Sequence, residues 1–191
     1  MADFVSANRY LTKTEMKLNA SYVFNFLSAR GWSINAICGM LGNMQTESNI
    51  NPGIWENLDP SDVTRGFGLV QWTPSTKYTS WCAERGLDPT HMDSALLRIE
   101  YELGNGIQYY ATDEYPLSFA EFKVSTAHPS YLAMAFLHNY ERPADLNQPK
   151  RGTQAYEWYE YLTGGEVPTP PPVQSKRKSL PLYMMYMATK R

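Results

Sequence analysis

Glu47 stands out by its setting. It closes a run of small and apolar residues, Asn35-Ala-Ile-Cys-Gly-Met-Leu-Gly-Asn-Met-Gln-Thr-Glu47, and is followed at once by Ser48-Asn49-Ile50-Asn51-Pro52. Ile34, Ile37, Leu41 and Met44 recur at the steps that make one helical face. Glu47 comes one helical step after Met44 and leans toward that face rather than toward water. Desolvation disfavours a charged carboxylate and raises its pKa. A carboxylic acid still protonated near neutral pH is what a leaving sugar oxygen requires. A solvated glutamate at a helix C-terminus, or one in an ordinary hydrogen-bond network, would occupy the same position, and position alone does not separate the readings. Pro52 disfavours helix in the residue before it, so the chain turns here and leaves Glu47 at the rim of a concavity.

The elements that must position this carboxylate follow from capping and periodicity. Thr12 or Thr14 caps a first helix from about Glu15 to Arg30, with Met16, Ala20, Val23, Phe24 and Leu27 as its apolar stripe and Gly31 at its end. Ser33 caps the Glu47 helix, in which Ala36, Gly39 and Gly42 are small enough for another element to approach closely. Gly costs about 1 kcal/mol in a helix interior, so tight packing outweighs propensity there. Gly53 to Arg65 reads as a loop or short hairpin, and Gly66-Phe-Gly68-Leu-Val-Gln71-Trp72 as a glycine-rich turn whose Gly66 and Gly68 permit positive φ. Further helices are expected over Thr76–Arg85, Met92–Leu103, Ser118–Val124, Tyr131–Tyr140 and Thr153–Leu162, with a short tyrosine-rich helix within Ile107–Pro116. Pro149-Lys-Arg-Gly152 reads as a loop, and Arg142 as an ion-pair partner of Glu141.

Three stretches carry a resemblance. Glu47-Ser48-Asn49-Ile50-Asn51-Pro52 resembles the Glu-Ser-x-x-Asn-Pro motif of the lysozyme-like transglycosylase superfamily. Gly66 to Trp72 resembles its Gly-Leu-x-Gln motif, and Asn139-Tyr140-Glu141 its later aromatic motif. Ala36 to Gln45, Gly66 to Pro74 and Tyr140-Glu-Arg-Pro143 are similar, more closely, to phage tail-tip lysozymes, including the N-terminal glycosidase domain of podovirus tail-knob proteins. The likeness covers roughly Tyr10 to Gly165. It implies a mainly α (α+β lysozyme-like) fold, two helical lobes around a cleft with a small β element. It also implies a muramidase that cleaves the β-1,4 bond between N-acetylmuramic acid and N-acetylglucosamine in bacterial peptidoglycan, with Glu47 as general acid. Gln71, Trp72, Tyr140, Ser48 and Gly68 are then the candidate substrate-binding residues. Gln71 would hydrogen-bond an N-acetyl group or hydroxyl, Trp72 would stack on a sugar or fill the core, and Tyr140 would hold Glu47 or the glycan. Glu56, Asp59 and Asp62 are candidates for a second carboxylate, Asp59 preferred; a solvated loop acid is the alternative for each. A hydrolase places that group about 5–9.5 Å from the acid. A lytic transglycosylase, whose products carry 1,6-anhydro ends, needs none, and a non-catalytic glycan-binding virion component is the third reading.

Composition bounds the rest. The 191 residues fit one domain, residues 1–165, followed by a Pro-rich linker, 166–175, and a basic, apolar tail, 176–191. The net charge of −2 gives the chain no nucleic-acid footprint. His91, His128 and His138 are dispersed without metal-ligand spacing, and neither metal nor cofactor is expected. Cys38 and Cys82 read as free, buried thiols. No stretch approaches the roughly 20 apolar residues of a transmembrane segment, and the first residues do not read as a signal peptide. The expected partners are peptidoglycan glycan strands and, through the tail, other phage tail proteins. The protein would be made in the host cytoplasm and act on the wall, either from the virion or after release at lysis. A zinc endopeptidase domain, which podovirus tail-knob proteins can carry after the glycosidase, is not found in this sequence.

Overall fold

The computed structural model describes residues 3–164. The linker and tail expected over 166–191 lie outside the described residues. Helices follow in the order α1 (Lys13–Ser28), α2 (Ile34–Ser48), α3 (Thr76–Ala83), α4 (Met92–Gly104), α5 (Phe119–Val124), α6 (Pro129–Phe136) and α7 (Pro149–Thr163). The fold is mainly α-helical, as the resemblance implied.

Thr12 begins α1 with a capping box: its hydroxyl accepts from the Glu15 amide while the Glu15 carboxylate accepts from the Thr12 amide. Ser33 caps α2, and Asn49, in the left-handed conformation at φ 56°, ends it. Helix α2 is the hub. It is buried from Asn35 to Met44 and packs against α6 and α7. Its glycines set those contacts: a Cβ on Gly39 would stand 2.9 Å from the Leu132 Cβ, and one on Gly42 would overlap the Arg151 carbonyl. Helix α1 lies against α2 and α4. Trp158, Tyr78, Tyr140, Phe67 and Phe136 are among the largest side chains closed off from solvent.

The small β element reduces to single antiparallel bridges, Trp55 with Phe67 and Phe67 with Trp72. In the latter, each residue's amide donates to the other's carbonyl at 3.1 and 3.3 Å. Two expectations are corrected. Residues 107–116 form no helix: the Tyr110 amide donates to the Asn139 carbonyl and the Thr112 amide to Asn139 Oδ1, so tertiary partners replace helical ones. Residues Pro149–Gly152 are not a loop but the first turn of α7, where the missing proline N–H is no loss. The chain also departs from a continuous helix at Leu137–Glu141, a π-helical turn directly after α6.

Candidate active site

Glu47 lies in the last turn of α2 with 21% of its side chain exposed. The sequence pattern predicts apolar surroundings for it. Instead a buried guanidinium meets it: Arg151 Nη2 donates to Glu47 Oε1 at 2.6 Å. Arg151 is itself fixed, Nη1 donating to Asn43 Oδ1 at 3.0 Å and Nε to Gln148 Oε1 at 2.7 Å. The first turn of α7 therefore reaches across to the end of α2.

Glu47 borders a cleft of about 290 Å³, lined also by Gln71, Trp72, Glu102, Tyr140 and Glu141. That volume is near the lower bound of small-ligand sites. Glu141 enters from the π turn, whose closing bond runs from the Arg142 amide to the Leu137 carbonyl at 2.8 Å. Such turns often sit at functional sites. The residue keeps some exposure, but its Oε1 is out of reach of solvent and has no hydrogen-bond partner. Desolvation holds the Glu141 carboxyl well above the usual carboxylate range; the charges of Glu47 and Glu102 push the same way, while Arg151 opposes them. Arg142 does not pair with it. It adopts φ 48° and lays its guanidinium over the Tyr110 ring, 4.7 Å from the centroid.

Glu102 forms the floor. Its Oε1 accepts from Arg98, and its Oε2 accepts from Trp72 Nε1 at 3.0 Å and from the Tyr140 hydroxyl. Trp72 is 6% exposed and stacks on Tyr78. It forms part of the cleft wall from within the core, not as a free sugar platform. Burial, with the Glu102 charge behind it, raises the Tyr140 phenol well above its ordinary value. Tyr140 thus supports Glu102 and not Glu47. Gln71, at φ 50°, reaches the cleft while its Nε2 donates to the Ile54 and Gly68 carbonyls.

The other predicted residues build the frame. The Ser48 hydroxyl donates to the Leu69 carbonyl at 2.9 Å and accepts from the Asn51 amide, tying the end of α2 to the glycine-rich turn. Gly68 has φ 81°, and the Trp72 ring lies against the face where a side chain would begin. Asp59 is fully exposed and does not line the cleft; the Ser61 hydroxyl and amide hold its carboxyl below the ordinary value. Asp62 is held in the same way by Thr64 and Arg65, and Glu56 accepts from Arg65 and the Gly66 amide.

Sequence reasoning missed Glu102 and Arg151, and treated Glu141 as part of a motif and as a partner for Arg142, not as a cleft carboxyl. Pro149, a favoured first helical residue, was the available signal for α7 and hence for Arg151. Lys77, from the first turn of α3, also lines the cleft. Among the described residues no group of three or more His, Cys, Asp or Glu could hold a metal ion, and no helix is long and apolar enough to cross a membrane. Cys38 and Cys82 are both buried and free.

Comparison with known proteins adds two findings. Residues 18–162 match the family described as phage tail lysozyme. The chain is also similar to morphogenesis protein 1 of Bacillus phage B103, with 56% identity over 161 residues. The match takes in 84% of this chain and 44% of that protein, so the chain spans a little under half the length of this curated relative.

Proposed function

The chain belongs to the phage tail lysozyme family, and from that premise we propose that it is a peptidoglycan glycosidase, a muramidase acting between N-acetylmuramic acid and N-acetylglucosamine. The observation that carries this reading is the cleft at the end of α2, where Glu47 of the Glu-Ser-x-x-Asn-Pro motif borders a concavity together with Glu102 and Glu141. Breaking a glycosidic bond requires a proton on the leaving oxygen and negative charge near the developing oxocarbenium ion. Carboxyl groups held in unlike environments supply both. Gln71 is the side chain best placed to meet an N-acetyl group or hydroxyl; Trp72 and Tyr140 act on the glycan through Glu102 and the shape of the cleft.

The substrate is bacterial wall glycan, met either from the virion or at lysis, and no cofactor is needed for this chemistry. A lytic transglycosylase is the second reading. It is favoured by the place of Asp59, Asp62 and Glu56 outside the cleft lining, since that reaction needs no water-activating loop acid. The test is mass spectrometry of muropeptides released from purified peptidoglycan by the wild-type chain and by Glu47→Gln. Reducing muramic acid ends, lost in the variant while its fold and wall binding persist, are the expected result. Anhydro ends would select the transglycosylase. Unchanged release by the variant would overturn the role of Glu47, and no release by the wild type would leave a glycan-binding component.

A further inference from the structure

The arginines of the cleft and of the loop beside it are already engaged. Arg151 is held by Glu47 and Asn43, and Arg98 by Glu102. Arg65 pairs with Glu56 and Asp62, and Arg142 lies over the Tyr110 ring. Lys77 stands apart. Among the described residues it is the one cation in the cleft lining. It is exposed, and no described residue offers its ammonium an ion pair, a hydrogen bond or an aromatic face.

The helix that carries it has no need of a lysine there. Lys77 is the second residue of α3, where the positive end of the helix dipole disfavours a cation. The Ser75 side chain does not cap the helix; its hydroxyl donates to the Val63 carbonyl at 2.9 Å. The cleft wall, by contrast, holds this turn firmly. Tyr78, the next residue, is closed off from solvent and stacks on Trp72 with ring centroids 4.2 Å apart, and Trp72 Nε1 donates to Glu102 on the cleft floor. The Tyr78 hydroxyl donates to the Pro89 carbonyl at 3.0 Å. A flexible stem thus carries an ammonium from a fixed edge of the cleft, and the other lining residues of charged type, Glu47, Glu102 and Glu141, are all acids.

We propose that Lys77 is a specificity-determining residue that binds a carboxylate on the peptide arm of the wall glycan. This rests on the glycosidase reading and names a part of the substrate that the acidic floor would repel. The sugar rings of the strand are uncharged. In intact wall the lactyl group of N-acetylmuramic acid is closed as an amide, and the negative charge sits on the free carboxyls of the attached peptide. In a strand stripped of peptide, the lactyl carboxylate itself is free. An ammonium supplies both charge and hydrogen bonds to such a group. Because Lys77 is exposed at the cleft edge, the peptide can stay outside while the glycan enters. The contact then sets the register of the strand, since only a muramic acid residue, and not a glucosamine, carries this arm.

The test uses the full 191-residue chain and its Lys77→Met, Lys77→Arg and Lys123→Met variants. The substrates are purified peptidoglycan and the same material with its peptide carboxyls converted to amides by carbodiimide and ammonia. A charged hydrogen bond at an open edge lies in strength between an exposed ion pair and a buried one, so Lys77→Met should raise KM for muropeptide release about 3- to 10-fold on native wall, with kcat within about twofold. Amidation should raise the wild-type KM by a similar factor and leave that of Lys77→Met where it was. Lys77→Arg should keep most of the wild-type preference for native wall. Lys123 pairs with Glu100 outside the cleft lining, and Lys123→Met should follow wild type on both substrates. An unchanged KM for Lys77→Met on native wall overturns the proposal. So does an equal rise on both substrates, which would mark a structural role, or loss of the preference in Lys123→Met, which would mark bulk charge. Peptide-free strands prepared with an amidase separate the two carboxylates: an effect of Lys77→Met on those strands alone moves the contact to the lactyl group and overturns the peptide assignment. Absence of release by the wild type overturns the glycosidase reading, and Lys77 is then judged by co-sedimentation with native and amidated wall. Preference for native wall that is lost in Lys77→Met upholds the contact; equal binding by the two proteins overturns it.

Discussion

The loop between α2 and α3 carries Glu56, Asp59 and Asp62; the helical elements around the cleft carry Glu47, Glu102 and Glu141. The loop acids find their partners nearby in sequence. Asp59 is bound by Ser61, Asp62 by Thr64 and Arg65, and Glu56 by Arg65 and Gly66, no more than 10 residues away. The helical acids reach to distant residues: Glu47 to Arg151, 104 positions away, and Glu102, besides Arg98 four positions before it on its own helix, to Trp72 and Tyr140, 30 and 38 away. Local partners leave a carboxylate solvated and charged, as a turn requires. Distant ones carry it into a cleft, where whether a cation answers it decides its protonation. Residue type is the same in the two regions; the range of the contacts sets the chemistry.

The comparison can be broken first at the level of activity. Glu47→Gln should lower muropeptide release by about 10²- to 10⁴-fold, while Asp59→Asn should leave the rate essentially unchanged. A large loss from Asp59→Asn would show that the loop acids enter the reaction after all.

Stability sharpens the contrast next. Arg151→Met strips Glu47 and Asn43 of a donor whose side chain is 4% exposed. Removing one partner of such a buried pair typically costs about 3–5 kcal/mol, to be read from urea denaturation. Arg65→Met, whose guanidinium is half exposed beside Glu56 and Asp62, should scarcely move the urea midpoint.

A smaller effect is expected from Gly42→Ala. The added methyl meets the Arg151 backbone, and overpacking of this kind typically costs about 1–3 kcal/mol. Because α7 must shift to admit it, release should fall along with stability. Gly104→Ala, with open space around the new Cβ, should do neither.

The smallest effect is a pH dependence. Glu141 has a folded-state pKa above the ordinary 4.5, so the native state binds more protons than the unfolded chain as pH rises past that value. Its contribution to stability is present below the ordinary pKa and is lost as pH rises through the raised one. Glu141→Gln should therefore unfold at higher urea than wild type on the alkaline side, with the difference closing near pH 4. Asp59, held below its ordinary value, has the opposite sign: what it contributes is lost on acidification.

The same distinction of range explains what could be read from the sequence. Caps are local, so Ser33 and the choice between Thr12 and Thr14 were legible, and Ser33 and Thr12 cap their helices. The close approach at Gly39 and Gly42 was legible because glycine is disfavoured inside a strongly apolar helix unless a neighbouring element needs the space. Glu47 was legible through its motif, but its guanidinium was not, since Arg151 lies in a Pro-Lys-Arg-Gly stretch that reads equally as a break or as a helix start. Residues 107–116 carry aromatic residues compatible with a helix, and only their bonds to Asn139 decide otherwise. Glu141 was hidden for a related reason. Its missing partner is a property of the assembled cleft, and the π turn that aims it has no sequence signature.

The turn at Leu137–Glu141 has a consequence for how this stretch tolerates change in length. A π turn is an α-helix with one residue inserted, and each residue of an α-helix advances the azimuth by about 100°. Deleting a single residue upstream of Tyr140 would let the segment relax into regular helix, with little harm to the apolar face of α6. Because the wider turn has already absorbed the extra residue, Tyr140 and Glu141 would stay nearly in phase with what precedes them, and the tyrosine would keep its side toward Glu102. At this point the segment can give up one residue more readily than the regular turns of α6 can.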